Sequence, residues 1–356
     1  MTVLLEPRSS LRNWISIAAA TVRLGAGFVA YGVSGKSPAF AYQSLVRLFT
    51  LTSGRSNDLL AKVIGWFRRP YPLVNLEGVL GFRGQMDLER IAAHIAERGY
   101  FVFDRQLPED ICNQLTQFAL TQPCRPRVLD AGPTETDSRA LPYPRDNPGA
   151  IIYDFAPGDL INAPVVQSLM ADSSISALAE FYLGAKPVLD TVNMWWTTAF
   201  SQQPDRNAAQ LYHFDMNHVR WLKFFIYLTD MTPEAGPHCF VAGTHRAGAI
   251  PSKFLSQGYA RMSDEDIRAC YPACDVIEFI GKRCTIIAED TRGLHKGKPV
   301  VRGDRLMFEF EFSNCLFGAN LSKNGKIAVI HDPALKTFAR KYPRIFSRWI
   351  GDQTQL

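Results

Sequence analysis

The sequence predicts a mainly β chain: a barrel or sandwich of the jelly-roll kind with flanking helices, preceded by a helical N-terminal extension. Three observations carry this. From about residue 150 onward, short runs rich in β-branched and aromatic residues recur between turn residues. Before that point, apolar residues fall at helical spacing. The composition is that of an ordinary globular protein, 356 residues with 47% hydrophobic and 21% charged. That length suffices for one large domain or two small ones.

Residues 1–75 read as a basic, apolar-rich helical extension. They hold nine Lys/Arg against two acids, although the whole chain carries only +5. The cations are dispersed among apolar residues. This suits an anionic membrane surface or an acidic partner, and no nucleic-acid partner is expected. The apolar stretch 14–32 is interrupted by Arg23 and weakened as a helix by Gly25 and Gly27. It falls short of a clean span, and no small-x-small site closes it as a signal. An amphipathic helix packed on the domain is expected, with peripheral membrane contact as the second reading. Residues 38–68 continue in helical spacing until Arg68-Arg69-Pro70-Tyr71-Pro72 stops them.

The next division, 76–330, begins with helices. Residues 87–98 form one that Gly99 ends, and 108–121 form another with Pro108 at its start. The strand 100–103 lies between them. The polar passage 122–147 is long for a structureless loop and is expected to be an active-site lid. Strands are expected at 151–155, 187–197, 210–215, 222–229, 238–241, 276–280, 284–288 and 305–312, with a helical interlude at 165–182. Residues 331–356 form a helical tail. The seven cysteines are odd in number and scattered, so no disulfide framework is expected and a reducing cytoplasm fits. Cys270, Cys274 and Cys284 lack a fourth ligand at zinc spacing.

The chemistry concentrates in Tyr212-His213-Phe214-Asp215. On a strand, residues i and i+2 share a face, so His213 and Asp215 can address one metal ion. The best third ligand is His295, in Gly293-Leu294-His295-Lys296-Gly297. Its rival, His245, sits in a Gly-Thr-His turn that orders a loop. Two histidines and a carboxylate on one face of a metal form the facial triad of non-haem Fe(II) oxygenases, which leaves positions for a co-substrate and dioxygen.

The order of motifs resembles the phytanoyl-CoA dioxygenase family. It comprises His213-Phe214-Asp215, the apolar strand ending in Leu228-Thr229-Asp230, the Gly236-Pro237 turn, Gly243-Thr244-His245, then Asp290 to Gly297 and Arg305. Gly-Thr-His stands where Gly-Ser-His is commoner. The resemblance spans roughly residues 85–313. It implies a double-stranded β-helix (cupin-like jelly roll), Fe(II) on His213, Asp215 and His295, and 2-oxoglutarate and O2 as co-substrates. It also implies that Arg305 holds the far carboxylate of 2-oxoglutarate, where a guanidinium fork suits a bidentate partner. Arg302 is the rival. Asn193 resembles a polar residue that some members place near 2-oxoglutarate. Halogenating relatives carry a small residue where Asp215 stands, so its carboxylate favours hydroxylation, with desaturation or ring chemistry left open; the basic, apolar N-terminus points to a small-molecule or lipid-like substrate.

Other residues keep two readings. Lys223 either points into the barrel or faces solvent; His218 is either a surface histidine or a contact near the metal. His238 is expected to serve a turn. Trp195 and Trp196 point to opposite faces, so one can line the pocket, with bulky core filling as the default reading. Two alternative functions stay open: a metal-dependent jelly-roll enzyme that uses no 2-oxoglutarate, and a non-catalytic binding module of the same fold.

Overall fold

Among the described residues, ten strands form two antiparallel sheets: β1 (Tyr100–Val102), β2 (Arg125–Pro126), β3 (Ile152–Asp154), β4 (Val188–Thr198), β5 (Trp221–Tyr227), β6 (His238–Val241), β7 (Val276–Glu278), β8 (Ile286–Glu289), β9 (His295–Gly297) and β10 (Asp304–Ser313). The larger sheet runs β1-β8-β5-β10-β4-β3-β2 and the smaller β7-β6-β9. The pairings β1-β8, β8-β5, β5-β10, β10-β4 and β6-β9 join strands distant in sequence, which is the double-stranded β-helix. The computed structural model describes residues 7–127, 140–255, 261–319 and 325–351. Of the expected lid, 122–147, residues 128–139 lie outside the described residues, and its two described ends are joined by a bridge between Cys124 and Leu141.

Strand alternation divides the larger sheet into two faces. Leu306, Phe308, Phe310 and Phe312 of β10, with Phe224 and Ile226 of β5, pack beneath the helices at 85–98, 109–121 and 173–183. Each such apolar side chain contributes roughly 2 kcal/mol by leaving water. The opposite face turns toward the smaller sheet. There Phe225, Tyr227, Ile287 and Met307 meet Phe240 in a smaller apolar cluster. The polar residues Lys223, Arg305, Glu309 and Glu311 alternate into this interior, and β10 aligns Glu311 opposite Lys223 and Glu309 opposite Phe225.

The expected strand 210–215 does not form. Tyr212 bridges Met262 and His213 bridges His295, one residue on each side. The segment lies between two partners and has a continuous ladder with neither.

The extension begins with α1 (Pro7–Ser34), α2 (Ala39–Thr52) and α3 (Arg55–Phe67). The single helix expected over 38–68 is two. The chain turns left-handed at Ser53 (φ 50°) and Gly54 (φ 88°), and Gly54 lies close against the Ala247 backbone. This break lets α2 and α3 reach the core separately. Phe49 of α2 stacks on Phe214 with ring centroids 5.6 Å apart, and Phe214 stands between the two residues of the His-x-Asp pair. The Asn57 amide of α3, fully buried, donates to the Val219 carbonyl at 3.1 Å. Truncating a buried aromatic leaves a cavity. Phe49→Ala should therefore lower stability by about 3 kcal/mol in chemical denaturation. A loss below about 0.5 kcal/mol would show that the extension only rests on the core.

Candidate metal centre and its cavity

The His-x-Asp segment and the chain entering β9 are tied by reciprocal backbone hydrogen bonds. His213 N–H donates to His295 O at 3.0 Å, and His295 N–H to His213 O at 2.8 Å. The imidazoles are thereby set side by side, with centroids 4.3 Å apart. Nδ1 of His213 lies 2.9 Å from Leu211 O, and Nδ1 of His295 lies 2.9 Å from Gly293 O. Each Nδ1 must carry the proton to make that bond, so each Nε2 is a free lone pair. Both lone pairs face Asp215: His213 Nε2 is 3.9 Å from its Oδ1 and His295 Nε2 3.7 Å from its Oδ2. The three ligand atoms lie within 4.8 Å of one another. One open-faced divalent cation fits this donor set, as two neutral nitrogens and a carboxylate oxygen suit iron(II).

The surroundings hold the three candidate ligands in forms able to bind a cation. Burial, with the neighbouring His295, pushes the His213 imidazole well below its ordinary value. Burial likewise brings His295 down to about 4 despite the Asp215 carboxylate. Burial by itself would raise the Asp215 carboxyl, but the Lys223 ammonium at 3.1 Å and the two imidazoles hold it well below the usual range. A buried lysine needs such partners. Lys223 points into the barrel and reaches Glu309 at 3.0 Å and Glu311 at 3.3 Å as well. These carboxylates overcome the effect of burial and keep it charged.

Arg305 lines the same cavity, of about 260 Å³. Its Nη1 donates to the Gly236 carbonyl, its Nη2 to Thr197 Oγ1 at 3.2 Å, and its buried Nε has no partner. No carboxylate among the described residues forms an ion pair with it. A buried guanidinium facing a cavity without a counter-ion is suited to an anionic ligand. Gly297 makes room for it, since a Cβ there would stand 2.9 Å from Nη2. Arg302 is exposed. Asn193 lines the cavity and donates to Glu309 at 3.4 Å. Of the two tryptophans, Trp195 faces the cavity and Trp196 is fully buried in the outer core.

A buried frame supports the ligand loop. Arg292 forks onto Asp290, with Nη2 at 2.7 Å, and reaches Asp58 of α3 at 3.0 Å. The Tyr182 hydroxyl donates to Asp290 at 2.6 Å. Thr244 Oγ1 accepts Leu294 N–H at 2.8 Å, so the hydroxyl of the Gly-Thr-His turn positions the residue before His295. A serine hydroxyl would serve equally, which removes the importance of that departure. His245 turns away from the metal centre and bonds the Ala96 carbonyl through Nε2 at 3.1 Å.

Two groups exceed what the sequence suggested. His238 lies in β6 and lines the cavity, its Nε2 3.0 Å from Glu289 and its ring 5.7 Å from that of His295. The turn role expected for it is therefore wrong, because β6 carries it directly into the barrel. His218 is buried, with Nε2 2.7 Å from Asp190. The spacing of His238 to Glu289, a strand apart, gave no local signal.

The phytanoyl-CoA dioxygenase family model matches residues 95–266, a span that contains His213 and Asp215; His295 and Arg305 lie beyond it. Over this span the protein is similar to the phytanoyl-CoA dioxygenase family. It is an Fe(II)/2-oxoglutarate-dependent oxygenase, with dioxygen as the oxidant. Similar solved structures include HygX from Streptomyces hygroscopicus with nickel and 2-oxoglutarate bound, at 15% identity over 70% of this chain and 97% of that one, TM-score 0.45. Apo EctD from S. alaskensis matches at 19% identity over 72% and 89%, TM-score 0.44. The α-ketoglutarate-dependent epimerase SnoN from nogalamycin biosynthesis matches at 16% over 64% and 82%, TM-score 0.42. A search of curated proteins returned no relative.

The buried His245 of this oxygenase gives a pH signature. Burial lowers its imidazole to about 4 from an ordinary 6.5. The unfolded chain thus takes up its proton first, and the stability His245 contributes is present above 6.5 and lost as pH falls toward 4. Glu180, raised by burial to about 7, acts in the opposite sense, so a difference measurement is needed. Glutamine can still donate to the Ala96 carbonyl. His245→Gln should lose less stability than wild type between pH 7 and pH 4.5 in thermal melts; parallel curves would contradict a buried neutral imidazole.

Proposed function

We propose that this enzyme hydroxylates an aliphatic C–H bond of a small-molecule or lipid-like substrate, with His213, Asp215 and His295 as iron ligands. Arg305 receives the far carboxylate of 2-oxoglutarate. The observation that carries this reading is the sharing of one cavity by a three-donor cluster and a buried guanidinium without an acidic partner. When bound, iron(II) with 2-oxoglutarate supplies the oxidation: dioxygen is consumed, succinate and carbon dioxide leave, and one oxygen atom goes to the substrate.

The residues of the chain do the positioning. The backbone carbonyls of Leu211 and Gly293 fix both imidazoles in the tautomer that presents Nε2. Thr197 and the Gly236 carbonyl fix the guanidinium plane. Phe225, Trp195 and Met307 give the cavity apolar walls that exclude water from the reacting centre. The carboxylate of Asp215 occupies a ligand position that chloride would need for halogenation, which supports hydroxylation.

Anaerobic titration with Fe(II) and 2-oxoglutarate, followed by succinate measurement with ascorbate present, tests the reading. His295→Ala should weaken metal binding roughly a hundredfold or more. Arg305→Ala should weaken 2-oxoglutarate binding about a hundredfold while leaving metal binding intact. Unchanged 2-oxoglutarate affinity in Arg305→Ala would favour the jelly-roll enzyme that uses none, and absence of succinate under every substrate would favour a binding module.

The extension supports a location. We propose that it lies on an anionic lipid surface, with the enzyme in the cytoplasm, where seven free thiols fit reducing conditions. α1 leaves Ile15, Val22 and Val29 exposed at seven-residue spacing, with Trp14 at 67% and Val33 at 88% exposure beside them. α3 leaves Leu59, Val63, Trp66 and Phe67 exposed at positions i, i+4, i+7 and i+8. Nine Lys/Arg within the first 75 residues complement acidic headgroups. By length and composition, residues Asn13–Ser34 could cross a membrane. Contact along the surface is favoured because the other side of α1 is docked: Phe28 stacks on Phe317 at 3.9 Å. Gly27 lies so close to α2 that a Cβ would stand 2.1 Å from that of Ala41. The protein should float with phosphatidylglycerol-containing vesicles and not with phosphatidylcholine alone, less so at high salt. Trp14→Ala with Trp66→Ala should reduce binding at least about tenfold; equal flotation with both vesicle types would argue against the charge contribution, and none with either against the surface.

A further inference from the structure

A second cavity, of about 190 Å³, adjoins the one around the metal centre. Asn193, Lys223 and Glu309 line both. Its far wall carries Asp190 and Glu311, 0% and 1% exposed. Oδ1 of Asp190 and Oε1 of Glu311 have no hydrogen-bond partner. Buried carboxylate oxygens in that condition are costly unless a donor reaches them.

Among the described residues the donors facing these oxygens are too few. Lys223 has three N–H bonds and meets three carboxylates, Asp215, Glu309 and Glu311. His218 meets only the Oδ2 side of Asp190. Arg348 also lines the cavity, half-buried and with its guanidinium 5.3 Å from the ring of Trp349. The bound co-substrates do not change the balance. Iron(II) offsets Asp215 and the keto-acid carboxylate of 2-oxoglutarate, and Arg305 offsets its far carboxylate. Asp190, Glu309 and Glu311 then face Lys223, the half-buried Arg348 and the Asn193 amide on Glu309. Burial with the neighbouring Asp190 pushes the Glu311 carboxyl well above its ordinary value, and Asp190 Oδ1 and Glu311 Oε1 remain in excess. A ligand rich in acceptors, such as a carboxylate, would add to this excess; a cationic donor would relieve it.

We infer that this second cavity receives a protonated amine of the substrate, held by Glu309, Glu311 and Asp190, beside the C–H bond presented to the metal centre. The inference rests on the reading that His213, Asp215 and His295 hold iron. It makes the substrate an amine-bearing molecule, and it makes Glu309 and Glu311 specificity-determining residues. Because Asn193, Lys223 and Glu309 stand between the two cavities, the amine and the oxidised carbon would lie on opposite sides of Lys223.

The test uses the full chain loaded with nickel(II) and 2-oxoglutarate, both bindings being measured first by calorimetry. Three probes of matched shape follow: cyclohexylmethylamine, cyclohexylmethanol and cyclohexanecarboxylate. The amine should bind at least about tenfold more tightly than the alcohol, and the carboxylate more weakly still. Glu311→Gln and Glu309→Gln, each close in shape to the original, should each reduce the amine preference by severalfold. Failure of nickel or 2-oxoglutarate to bind would remove the oxygenase reading itself. In the loaded protein, equal binding of the three probes, preference for the carboxylate, or no binding of the amine overturns this inference alone. So does a second nickel ion per chain that is lost in Asp190→Asn, since an ion would then occupy the place assigned to the amine.

Discussion

The reciprocal backbone hydrogen bonds between His213 and His295 are the contact on which the site depends. They join two segments that neither sheet joins by a continuous ladder, and they do so at the candidate ligands themselves. Everything else in the frame serves this bridge. The Thr244 hydroxyl holds the residue before His295, Asp290 and Arg292 brace the loop that leads to it, and Thr291 O receives the Asp215 amide at 2.9 Å. A donor set made from separate segments is positioned only as well as these braces allow.

Charge is the second organising constraint. Burying Lys223 and the carboxylates around it is unfavourable for each group alone and tolerable only as a group. The cross-strand pairing of Lys223 with Glu311, and the alternation that brings Glu309 to the same face, make the arrangement self-consistent on the inner surface of the sheet. Arg305 lies at the start of the same strand, away from the acids, so β10 carries a gradient from cationic to anionic along its inward face. An anionic co-substrate and a cationic substrate would be sorted by that gradient before any chemistry.

Much of this was legible in the sequence, and for identifiable reasons. Alternation along Arg305, Met307, Glu309 and Glu311 gave their common face, since a strand has no other option. His213, Asp215, His295 and Arg305 could be named because motifs and turns occur in a fixed order. What stayed hidden was set by tertiary partners. The direction of Lys223 depended on Glu309 and Glu311 across the sheet, His218 on Asp190, and His238 on Glu289. The helix over 38–68 hid its break because Ser53 and Gly54 become left-handed only where α2 and α3 meet the core. The segment 210–215 has strand-like residues, but a strand requires a ladder and its two neighbours offer one bridge each.

The stacking of Phe49 on Phe214 and the reach of Arg292 to Asp58 have an evolutionary consequence. The part of the chain that differs most in composition from the rest forms the wall behind the His-x-Asp pair. Shuffling of this catalytic barrel onto other leaders by recombination would therefore be restricted to leaders that bring an aromatic and an acid to the same two places. A cut at the composition change near Pro70 would take away both the ring behind Phe214 and the Asp58 partner of Arg292.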